Sequence, residues 1–162
     1  WMSLLNWLHL LATVTWIGGI IFNTVVLLPA ARQSLEPPLV GRLLGALMKR
    51  MRPLVYLSII VLSVTGVAMM LSNRHYLGTL DISNTWATFM IIKHVFVVAM
   101  IGVTVYAFEV LAPKVGREAA GGPTPKLAAL QKLQLQVAKI GLVLGLIVLL
   151  FTAIESAISA LP

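Results

Sequence analysis

The chain has 162 residues, 59% of them hydrophobic and only 10% charged, with a mean hydropathy of +0.98. A soluble domain carries about 25% charged residues, so too little polar surface is present to coat a globule in water, and lipid must solvate most of this chain. Twelve basic residues against five acidic ones leave a net charge of +7. Nearly all of the basic residues fall in two stretches between apolar runs, which is a signal of membrane topology and not of a nucleic-acid surface. No cysteine occurs, so disulfides, thiolate sites and iron–sulfur clusters are excluded.

Four apolar runs, at 3–28, 53–71, 86–111 and 140–161, reach the roughly 20 residues that cross a bilayer as a helix. Backbone groups in hydrocarbon must be satisfied within their own segment, so each run is predicted to be a helix. The fold class expected is an all-α, four-helix transmembrane bundle forming one domain over 1–162. The chain opens at Trp1, so residues before it are expected. The first run has no basic leader and no small-residue cleavage site, and reads as a true span.

Between the first two runs, Arg32, Arg42, Lys49, Arg50 and Arg52 stand against Glu36 alone; between the last two, Lys114, Arg117, Lys126, Lys132 and Lys139 stand against Glu118 alone. The middle loop, from Ser72 to Thr85, holds only Arg74 and Asp81. The positive-inside rule places the two basic loops in the cytoplasm and both termini outside, in a bacterial inner membrane. Pro37 and Pro38 can open a helix that runs from Leu39 to Met51 into the second span. Gly121-Gly122-Pro123 marks a break. Thr124 is then a cap and Pro125 a helix start, with Leu127, Leu130, Leu133 and Val137 at helical spacing leading into the fourth span. No internal repeat or low-complexity tract is apparent.

Ionisable residues inside a membrane are costly and point to function. Counted along their helices, His9, Lys93, His94 and Glu155 all lie on the order of 10 Å below the outer surface, so three helices bring such groups to one layer. On the first helix His9, Thr13, Trp16 and Asn23 share a face. Glycines such as Gly18, Gly66, Gly141 and Gly145 suit close helix packing. Two histidines at matched depth are what a membrane b-type haem needs, with His9 and His94 as axial ligands, Trp16 beside the cofactor, and Arg74 and Lys93 near the propionates. Copper is the alternative, held by His9 and His94 with Met69, Met70 or His75 near the same side. A Lys93–Glu155 ion pair, structural or part of a proton path, is a third possibility. Glu109 is expected either to snorkel to the membrane surface or to pair with a basic loop residue. Nothing resembles a phosphate-binding loop, a nucleophile elbow or an HExxH zinc motif.

The stretch HLLATVTWIGGIIFNTVVLLP, from His9 to Pro29, resembles the opening helix of the copper-resistance protein D (CopD-like) family. KRMRP at Lys49 to Pro53, Gly66, and TWATFMIIK at Thr85 to Lys93 continue the resemblance to about Tyr106. These features are shared with the related HemJ-type four-helix haem proteins. The resemblance implies that His9 is a haem or metal ligand and that Lys93 is the characteristic lysine of the third helix. The sequence departs from the HemJ pattern at the end of the first helix, which lacks that pattern's aromatic and basic residues, and at Tyr106 and Glu109, where a Tyr-His pair belongs; both weigh against porphyrinogen oxidation, and a HemJ-like enzyme stays a fourth alternative. His94 adds a second axial candidate. The function expected is a b-haem electron-transfer subunit of a larger membrane assembly, working with quinone or a periplasmic carrier. Copper handling and a cofactor-free structural role are the alternatives.

Overall fold

The computed structural model describes residues 1–76, 78 and 85–160; Asp81 of the middle loop and Leu161 of the fourth run lie outside the described residues. Among the described residues, four helices are long and apolar enough to cross a membrane: α1 (Met2–Ser34), α2 (Pro37–Leu71), α3 (Thr85–Ala120) and α4 (Pro125–Ala160). The protein is an all-helical integral membrane protein. Its outward faces carry large apolar side chains, such as Leu4, Val14, Ile60, Val64, Val95 and Val98, all exposed, as a lipid-solvated surface requires.

Each helix is about 50 Å long at 1.5 Å per residue, well beyond the roughly 30 Å of hydrocarbon. The excess lies at the end that carries the basic residues, where the helices run further than hydropathy suggests. The first and third apolar runs are expected to stop at Leu28 and Leu111, before Pro29 and Pro113. The chain instead continues helically through both prolines, to Ser34 and Ala120. A proline ring collides with the carbonyl four residues back. Immediately before each proline the helix widens into a π turn, Phe22–Leu27 in α1 and Tyr106–Leu111 in α3. The amide of Leu28 there bonds the carbonyl of Asn23, and that of Ala112 the carbonyl of Ala107. Widening by one residue per turn absorbs the collision without ending the helix.

The two π turns reveal a repeat that side-chain identity conceals. Phe22 against Tyr106, Pro29 against Pro113, Gly18 against Gly102 and His9 against Lys93 keep a constant step of 84. Buried positions follow the same step: Trp16 with Met100, Thr24 with Phe108, Ala31 with Val115. From α2 to α4 the step is 90, and it pairs the buried residues Gly41 with Gln131, Leu44 with Gln134, Val55 with Gly145 and Thr65 with Glu155. The fold is therefore two helical hairpins in series, both entering from the same end. An up-down bundle of this kind has its pseudo-two-fold direction along the helices. Lipid-facing positions only need to be apolar, which lets the sequence drift while the buried spacing stays.

At the basic end the hairpins are tied by polar contacts. Arg32 of α1 donates to the backbone carbonyl of Gln131 in α4, and the Gln131 side chain donates to the carbonyl of Pro37 at 2.7 Å. Thr124 caps α4 as its sequence predicts: its hydroxyl oxygen accepts from the Leu127 amide at 3.0 Å. The same hydroxyl donates to Glu118, whose carboxylate also pairs with Lys126 at 2.9 Å. Thr124→Ala is expected to cost about 1 kcal/mol, as the loss of an N-cap does, read as a lower midpoint of thermal unfolding, whereas Thr124→Ser should be neutral.

Candidate functional site

A polar layer sits at the end of the bundle that carries the termini. His9 turns from α1 toward α2, where its Nδ1 meets the Thr65 hydroxyl at 2.8 Å. Thr65 has one proton, and it donates this to the carbonyl of Val61 at 2.6 Å. The Thr65 oxygen therefore accepts, and His9 carries its proton on Nδ1. The Nε2 of a neutral His9 is then a bare lone pair. His94 is set the same way, because its Nδ1 lies 2.7 Å from the carbonyl of Met90, which can only accept. Gly66 lies beside the first ring, with His9 Cε1 3.5 Å from where a Cβ would stand, an ordinary contact distance.

Directly across the axis, at the position equivalent to His9, Lys93 pairs with Glu155 of α4. The two hairpins thus hold equivalent polar pairs, one neutral (His9 with Thr65) and one charged (Lys93 with Glu155). Glu155 is buried, with one carboxylate oxygen on Lys93 and the other lacking a hydrogen-bond partner in the protein. Lys93 lies within electrostatic reach of the His9 ring. His9, Lys93 and Glu155, read from the sequence as one layer, are brought together.

The other predicted residues are placed differently. His94 is exposed on α3, at the level of His9 but turned outward. Arg74 donates toward the Ser159 carbonyl of α4 at 3.4 Å and toward His75 at 3.3 Å, beyond the end of the bundle. Met70 packs with Trp86 and Met90, and His75 approaches the Trp86 ring with centroids 6.4 Å apart. At the opposite end, Glu109 pairs with Arg52 at 2.7 Å and accepts from the Tyr56 hydroxyl at 2.7 Å, the loop partner expected for it. Among the described residues no group of three or more histidines and carboxylates could hold a metal ion.

The fifth candidate, Trp16, lies about 10 Å from this layer, in the wall of a cavity of about 230 Å3 between the two hairpins. Both π turns line it, through Phe22, Asn23 and Thr24 on one side and Ala107, Phe108 and Leu111 on the other, and α2 and α4 complete it. The cavity is nearer the basic end than the layer of His9, Lys93 and Glu155. Its wall is apolar except for a few groups, and the indole nitrogen of Trp16, Asn23 Oδ1, Thr24 Oγ1 and Gln134 Oε1 are buried without a partner. Thr13, Thr15, Thr65 and Thr152 each donate to the carbonyl four residues earlier, whereas Thr24, inside the π turn, makes no such bond. A proline two residues after the π turn was the available signal for it; Thr24 and Gln134 carried none of their own.

A family model described as a domain of unknown function (DUF4149) matches residues 11–124, more than half the chain. The chain belongs to that family. The matched stretch spans both π turns and the first three helices' share of the cavity, while His9 lies just before it and Glu155 beyond it. No curated protein and no solved structure matches the chain.

Proposed function

We propose that the protein is a b-haem-binding electron-transfer subunit of a larger assembly in a bacterial inner membrane. Its basic ends face the cytoplasm, its termini face outward, and His9 and His94 are axial ligands. The observation that carries this reading is the pair of tautomers: both rings hold their proton on Nδ1, against Thr65 and against Met90, and leave Nε2 free. A ligating histidine is oriented in this manner, its other nitrogen donating to a fixed oxygen.

A haem supplies four of its iron's ligands and asks the protein for one or two imidazoles; His9 would supply one from inside the layer, and His94, exposed on α3, would have to turn inward to supply the second. When bound, it supplies a one-electron couple. The protein's part is to hold the rings and to set the local charge. Lys93 is paired with Glu155, so the layer carries a balanced pair and not a lone cation, and Arg74, toward the outer surface, is the second cation proposed near a propionate. The exposed ring of His94 is expensive in hydrocarbon, and the cofactor or a neighbouring subunit covers it. The CopD-like pattern from His9 to Pro29 supports the same assignment, and the five basic residues in each of the two stretches support the orientation.

A reduced-minus-oxidised absorption spectrum of the purified protein tests this. A sharp b-type α-band, abolished by His9→Ala and by His94→Ala in protein that still folds, is the expected result. A colourless preparation that retains stoichiometric copper overturns haem in favour of copper handling, and a preparation with neither leaves a structural role.

A further inference from the structure

We infer that the cavity between the hairpins is a binding site for an uncharged, lipid-soluble ring compound bearing oxygen atoms, of the isoprenoid quinone class. The size bounds the ligand first. A cavity of about 150 Å3 admits benzene, and drug-sized ligands occupy about 300 Å3 or more, so 230 Å3 suits a head of one or two rings.

The lining fixes its charge. Among the described residues no lysine, arginine, histidine or carboxylate lines the cavity, so an ion would enter unpaired in a low-dielectric interior, which is prohibitive. Hydrogen-bonding capacity fixes its polarity. Trp16, Thr24 and Gln134 are at least nine-tenths buried, and each presents an atom without a protein partner. The indole N–H can only donate, the amide oxygens of Asn23 and Gln134 can only accept, and the Thr24 hydroxyl does either. A carbonyl on a ring satisfies the donors, and the hydroxyl of the reduced ring satisfies the acceptors, so one wall serves both forms.

The route in is from lipid. Phe22 lines the cavity and is also 54% exposed, so its side chain stands between the cavity and the acyl chains, where a hydrophobic tail can remain. The π turns supply the wall that makes this possible, consistent with the concentration of such turns at functional sites. The inference does not depend on whether His9 holds a haem.

Photolabelling with an azido-ubiquinone carrying a decyl tail, on the full chain in phospholipid nanodiscs, tests the site. Adducts are expected on 22–27 and 106–111, competed by excess decylubiquinone and reduced at least tenfold by Gln134→Leu and by Asn23→Leu. Thr24→Val, nearly the same shape, separates loss of a hydrogen bond from loss of fold and should also reduce labelling. Adducts scattered over lipid-facing positions, or labelling unchanged in all three variants, overturn the proposal and leave the cavity to water or acyl chains. The readout is the position of a covalent adduct, so failure of the haem spectrum does not affect it.

Discussion

Glu155→Ala is expected to destabilise the bundle by about 3–5 kcal/mol, the cost of leaving one member of a buried ion pair without the other. The double variant Lys93→Met/Glu155→Leu should recover most of the loss, since well-packed apolar groups often replace a buried pair at little cost. The measurement is unfolding of the protein in mixed micelles against added denaturing detergent. A double variant as unstable as Glu155→Ala would show that the pair is not what stabilises this layer. Its recovery would separate stability from function, because a stable double variant that has lost its activity assigns the charges to the site.

Gly41→Ala should cost about 1–3 kcal/mol, the range of overpacking in a tight interior, despite the gain of about 1 kcal/mol in helix propensity that alanine brings. A Cβ at Gly41 would stand 2.7 Å from the Cβ of Ala119, an atom fixed to the backbone of α3 that cannot turn aside. Gly19 offers the matched control. A Cβ there also meets an atom at 2.7 Å, but that atom is the terminal methyl of Met51, which can swing away on three rotatable bonds. Gly19→Ala should therefore be neutral or slightly stabilising. Equal losses at the two positions would mean that backbone approach does not set the packing of α2 on α3.

Much of the fold was legible because a bilayer is a simple solvent. It demands apolar runs of sufficient length and internally satisfied backbone, and four such runs stood out. The polar layer was legible for the same reason, since His9, Lys93 and Glu155 are conspicuous against leucine and valine. The helical passage through Pro29 and Pro113 was not legible, because a proline after an apolar run reads as an exit as readily as it signals a wider turn. The repeat was hidden because the step that matters is carried by burial, at residues as unlike as Thr65 and Glu155. The cavity was hidden too: Thr24 and Gln134 are ordinary residues until the π turn and the crossing of the helices leave their polar atoms alone.

The constant step between the hairpins also limits what symmetry could achieve. In this chain an ammonium in the second hairpin stands where the first has its ring, and a carboxylate where the first has its alcohol. A symmetric pair of identical hairpins would have to carry like groups on both sides of its axis, two neutral pairs or two charged ones. The single chain can place a fixed charge beside a titratable ring, a combination that no symmetric dimer of either hairpin can make.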